Sequence, residues 1–92
     1  MDWRKYAYAV ASGRRTDIIL LLFSGSEMPR EIAEKTNLRL SHVSNVLSGL
    51  VKNGISLCLT PEQSKGRLYS LTDDGKEIAS ELIRRKEKAE HH

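Results

Sequence analysis

The sequence predicts a mainly helical α+β domain in which two short helices joined by a tight turn are followed by a two-stranded hairpin and a last helix. Three observations carry that expectation. Residues 31–55 hold apolar positions at helical spacing, interrupted around Asn37 to Leu40, the pattern of a helix, a turn and a second helix. Residues 55–59 and 67–71 read as short strands on either side of a polar loop. With 92 residues and 39% hydrophobic content, the chain is sized for one domain, residues 1–90, whose small core dimerisation would help to stabilise.

Each element has its own signals. Asp2 is a candidate N-cap for a first helix over 1–12, with Trp3, Tyr6, Ala7 and Val10 at helical spacing and a stop at Ser12-Gly13. The helical core over 14–54 opens with Ile18, Ile19, Leu21, Leu22 and Phe23, apolar almost all round, so this second helix should be the most buried. Pro29 suits the first position of a third helix running to about Thr36, and Asn37 breaks the chain. Ser41 is a candidate N-cap for a fourth helix over 41–53. Its Val43, Val46, Leu47 and Leu50 form an apolar stripe, and Asn53-Gly54 closes it. The hairpin spans 55–71, its polar loop 60–67 projecting as a mobile wing. Thr72 or Asp73 caps a last helix over 72–90 in which Ile78, Ala79, Leu82 and Ile83 share a face. Glu90-His91-His92 resembles the remains of an expression tag, so residues 91–92 are set aside.

Charge narrows the function. The total is +3, but from Arg39 to Arg67 four basic residues face one acidic, whereas Leu68 to His92 carries five basic and six acidic. Positive charge therefore gathers on the turn, the fourth helix and the wing, where a polyanion would be met. Among short motifs that present a helix to such a partner, two helices and a turn place the second in a DNA major groove. A single cysteine, Cys58, and no signal peptide predict a reduced, cytoplasmic protein. The apolar run Ile18 to Phe23 is too short to span a membrane.

No enzyme is expected. Neighbouring Ser41 and His42 point about 100° apart on a helix and cannot form a nucleophile–base pair. Asp73-Asp74 suits a helix start electrostatically, and the chain has neither a phosphate-binding glycine loop nor His/Cys metal spacing. No metal and no cofactor is predicted.

The order of these pieces resembles the winged helix-turn-helix transcriptional regulators of the multiple-antibiotic-resistance (MarR) type and their arsenic-repressor (ArsR)-like relatives. The resemblance rests on Arg15, Glu31-Ile32-Ala33, Val43-Ser44, Leu47 and Leu50 before Gly54, Lys65-Gly66-Arg67, and Tyr69 with Leu71-Thr72 and Gly75. It covers roughly residues 14–83. Two departures stand out: Met28 replaces the usual Ser or Thr cap, which should let the third helix fray, and Met28 to Glu31 lack the cysteine pair of the soft-metal sensors.

Together these readings predict a sequence-specific regulator, acting as a repressor and a homodimer on double-stranded DNA. His42, Ser44 and Asn45 would contact bases; Arg39, Ser41, Ser48, Lys52, Lys65 and Arg67 would contact phosphates, with small Ser48 and Gly49 allowing close approach. Trp3, Tyr6, Val10, Ile78 and Leu82 would join the subunits. The competing expectation is a winged helix that docks on proteins without specific DNA binding; the same polar helix face would then be merely solvated. An effector is left open.

Overall fold

The computed structural model describes residues 1–90; His91 and His92, expected to be a tag remnant, lie outside the described residues. Asp2 accepts from the Arg4 and Lys5 backbone N–H groups at 3.0 and 3.3 Å and so starts α1 (Trp3–Val10). The helix stops before Ser12, whose hydroxyl instead accepts from Arg15 N–H at 3.4 Å and caps α2 (Gly13–Phe23). In α2, Ile18, Ile19 and Leu22 are buried while Phe23, on its last turn, faces solvent. This helix is therefore not uniquely buried, since α4 (Leu40–Lys52) also buries three residues, Val43, Leu47 and Leu50.

Between them, α3 (Pro29–Thr36) begins with Pro29 as expected. Met28 supplies no side-chain cap, but Glu31 reaches back and accepts from Met28 N–H at 2.8 Å, which gives that first turn a fixed partner. Asn37 ends α3 in a left-handed conformation at φ 57°, which asparagine tolerates better than most residues. The N-cap of the next helix lies two residues earlier than predicted: it is Arg39, without a side-chain hydrogen bond, and Ser41 lies inside the first turn. Gly54, at φ 71°, turns the chain out of α4.

β1 (Ser56–Cys58) and β2 (Tyr69–Leu71) pair antiparallel in the register Ser56–Leu71, Leu57–Ser70 and Cys58–Tyr69. Both are shorter than the sequence pattern, although Leu59 N–H still donates to the Leu68 carbonyl at 2.7 Å beyond the last pair. The alternation of apolar and small residues does not set burial here. Ser56 is buried and Leu59 exposed, because the hairpin leaves the core within four residues; the Ser56 hydroxyl is satisfied by the Ser70 carbonyl at 2.6 Å. Nothing in the sequence pattern marked Glu27, which pairs with Tyr69 through two backbone bonds of 3.1 and 2.9 Å and extends the sheet by one residue.

Thr72, rather than Asp73, caps α5 (Asp73–Glu90), accepting from Gly75 N–H at 3.0 Å while its hydroxyl donates to the Gly54 carbonyl at 2.7 Å. The core joins Ile18, Ile19 and Leu22 to Ile32, Leu47, Leu50, Ile55 and Ile78. The second helix touches every other helix as well as β2, so the outer face of α4 is held on a rigid base.

Candidate nucleic-acid interface

The N-terminal half of α4 presents Ser41, His42, Ser44 and Asn45 to solvent, because the inward stripe Val43, Leu47 and Leu50 fixes which side faces out. Ser48 and Lys52 continue that exposed side toward the C-terminal end. Two open hollows flank the helix start. One, of about 500 Å³, lies between α4 and the α1–α2 junction and is lined by Tyr8, Arg15, Arg39, Ser41, His42 and Asn45 among others. The second, of about 620 Å³, lies between α4, the start of α3 and the wing, with Arg30, Leu40, Ser44, Lys65 and Arg67 on its walls.

The three predicted base-contacting residues are thus divided. His42 and Asn45, three residues apart on one face, share the first hollow, and Ser44 opens on the second. Of the predicted phosphate contacts, Arg39 and Ser41 sit with His42 and Asn45, while Lys65 and Arg67 sit with Ser44. Ser48 and Lys52 belong to neither hollow; Lys52 lies about 20 Å along the helix from Arg39 at the usual rise. Neither hollow is lined by a carboxylate, and Arg30, Arg39, Lys52 and Lys65 make no ion pair among the described residues.

The wing is more ordered internally than a free loop. Arg67 Nε donates to the Gln63 carbonyl at 2.6 Å and its Nη2 to the Pro61 carbonyl at 3.3 Å, and Thr60 accepts from Leu68 N–H at 3.0 Å. Arg67 therefore spends two of its three nitrogens on shaping the loop, and Lys65 is the wing's unengaged cation. Gly49 is also placed differently from expectation. It faces inward onto the Tyr8 hydroxyl, so its small size serves the packing of α1 on α4 and not an approach to a partner.

Several residues escaped the sequence reading. Arg30 lies in the second residue of α3, nine positions before the stretch over which charge was counted, so a wider window would have included it. Tyr8 and Ser12 come from the first helix and its exit, and no local pattern brings them to α4. Leu40, 48% exposed, is the first residue of the fourth helix and lines the second hollow.

The predicted subunit contacts separate likewise. Trp3 and Val10 are 56% and 43% exposed, and Tyr6, half-buried, meets Trp3 edge to face with centroids 5.4 Å apart. Leu82 is half-buried, whereas Ile78 is fully inside the protomer's own core and has no surface left to offer a partner. Arg85 stacks over Tyr6 at 5.2 Å, and Lys5 pairs with Asp74 at 2.6 Å, fastening α1 to α5. That pair holds the Lys5 ammonium above its ordinary pKa, through the Asp74 hydrogen bond first. Among the described residues no group of three His, Cys, Asp or Glu could hold a metal ion, and no helix is long and apolar enough to cross a membrane.

No protein-family profile and no curated protein sequence matches the chain. Solved structures do. The homodimeric winged helix-turn-helix DNA-binding domain of a possible ArsR-family transcriptional regulator from Mycobacterium bovis superposes with TM-score 0.77 at 27% identity, covering 97% of this chain and 82% of that one. A mutant of ZitR from Lactococcus lactis gives TM-score 0.76 at 23% identity over 84% of this chain and 53% of that one. A MarR family regulator from Neisseria meningitidis gives TM-score 0.66 at 30% identity, over 78% and 54%. The chain spans 53–60% of the length of ZitR and of the adhesin competence repressor from Streptococcus pyogenes. The helix order, the paired strands after α4 and these superpositions agree: the chain has the winged helix-turn-helix fold of ArsR- and MarR-type regulators.

Proposed function

We propose that the chain is a sequence-specific DNA-binding transcriptional regulator that acts as a homodimeric repressor in the cytoplasm. The observation that carries the reading is the exposed start of α4, set between two hollows whose charged side chains are all cations. Such a face meets a polyanion along its length, and its polar tip meets base edges. Asn45 is the residue assigned to adenine, since its amide can donate and accept at once, worth about 1–3 kcal/mol of discrimination. His42 and Ser44 are the further base contacts, Arg39, Ser41, Ser48, Lys52 and Lys65 the phosphate contacts, and Arg67 shapes the wing with one nitrogen to spare. The M. bovis domain of similar fold is homodimeric and the S. pyogenes protein is a repressor, which supports both parts of the reading.

The test is selection of sheared genomic DNA by the purified protein at about 0.15 M salt, followed by sequencing. The expected product is an inverted repeat with half-sites about 34 Å, or one helical turn, apart or a multiple of it. With four phosphates neutralised per protomer, by Arg39, Lys52, Lys65 and the spare nitrogen of Arg67, log K should fall against log salt with a slope of about −3.6 per protomer. Retention without sequence preference, or no retention, would favour a protein-docking module instead.

A further inference from the structure

The hollow beside α1 and α2 holds a cation whose position is already fixed. Arg15 Nη1 donates to the Tyr8 carbonyl at 2.8 Å, and its guanidinium lies over the Tyr8 ring at 3.8 Å. Tyr8 in turn rests on Gly49 of α4, where any side chain would collide with its hydroxyl. Arg15 is thereby locked to the helix that carries His42 and Asn45. Among the described residues it has no carboxylate partner, and its Nε and Nη2 have no protein acceptor. Arg39, at the N-cap of α4, lines the same hollow, as do Ser12 and Ser41.

The geometry points to this hollow as a seat for one DNA backbone phosphate, held by Arg15 and Arg39. This rests on the regulator reading above and adds α1 and α2 to the surface that touches DNA. Arginine suits the task because two parallel N–H groups match two phosphate oxygens, and a guanidinium already stacked on an aromatic ring loses little freedom on binding. Its tether to Tyr8 keeps it from extending into the groove, so it reads no base. It instead sets the register at which Asn45, on the same hollow, meets one.

The experiment replaces single phosphates of the selected operator, one at a time, by uncharged methylphosphonates and measures binding by wild type, Arg15→Gln, Arg15→Lys and Arg39→Gln, each checked for a wild-type circular dichroism spectrum. One flanking position should weaken wild type. Arg15→Gln and Arg39→Gln should bind more weakly than wild type on the natural duplex yet lose nothing further at that position, keeping wild-type sensitivity at all others. The salt slope of Arg15→Gln should be shallower by about 0.9 per protomer, and Arg15→Lys should recover part of it. Inorganic phosphate should compete no better than chloride at equal ionic strength; stronger competition would assign the hollow to a free phosphate compound and overturn the backbone assignment. A structural role for Arg15 would lower affinity with slope and phosphate sensitivity unchanged, and that result overturns the proposal while leaving the regulator reading intact. If Arg15→Gln fails to fold, Arg39→Gln decides alone, since among the described residues Arg39 makes no hydrogen bond or ion pair through its side chain. A wild-type chain that binds no duplex overturns both.

Discussion

Gly75, in the first turn of α5, packs so closely on the Ile55 carbonyl that a Cβ there would occupy the same space as the oxygen. The carbonyl is held in place, because it accepts from Thr72 N–H at 3.0 Å. Gly75→Ala should therefore destabilise the fold although alanine is the better helix former. The overpacking cost, roughly 1–3 kcal/mol or more against backbone, exceeds the roughly 1 kcal/mol that the propensity returns. Urea unfolding of the two proteins checks the sign; a variant as stable as wild type would show that α5 can slide away from the hairpin.

At Gly49 the obstacle is the end of a side chain, so a second substitution can remove it. An alanine Cβ would collide with the Tyr8 hydroxyl but stand 3.5 Å from the ring carbon that bears it. Gly49→Ala alone should destabilise, and Tyr8→Phe should relieve it. The double variant should exceed Tyr8→Phe by up to roughly 1 kcal/mol, the helix propensity gained. A double-mutant cycle in urea with no coupling would mean that Tyr8 leaves α4 freely.

These two contacts also mark where the sequence stopped being readable. Periodic apolar positions placed all five helices, and Asp2, Pro29, Asn37 and Gly54 set their ends, because caps and turns are local chemistry. The exposed side of α4 followed from its buried stripe. What the sequence left hidden was non-local: Glu27 pairing with Tyr69 across 42 positions and Gly49 turned toward Tyr8. Ile78 illustrates the same limit. An amphipathic pattern shows that a face is buried but not whether the covering surface belongs to the same chain.

Glu81 makes the end of α5 sensitive to acid. It accepts from Arg84 Nε at 3.1 Å and Arg85 Nε at 2.8 Å, and these bonds hold its carboxyl down from 4.5 to about 2. A carboxyl pKa lower in the folded state than in the unfolded chain contributes stability that is fully present above pH 4.5 and lost as the pH falls toward 2. Amide protection over residues 81–90 should decline through that window, and less steeply in high salt, because both guanidinium groups are largely in water and their pairs with Glu81 are screened. Glu81→Gln should flatten the profile, and an unchanged one would show that the pairs contribute nothing in solution.

On the outer face of α1, Trp3, Ala7 and Val10 form an exposed apolar stripe at spacings of four and three residues, with Trp3 the only tryptophan of the chain. In the homodimer proposed above, Trp3 passes from 56% exposed to covered, and large aromatics at the centre of such contacts dominate their energy. Its fluorescence maximum should move to shorter wavelength as concentration rises, tracking the dimer measured by sedimentation velocity. Trp3→Ala should raise the dimer dissociation constant about thirtyfold, corresponding to roughly 2 kcal/mol, while thermal unfolding of the monomer at low concentration changes little, because the ring covers little of the protomer's core. A dimer that forms with no change in emission would place the contact elsewhere, on the exposed Phe23 end of α2 or the far half of α5.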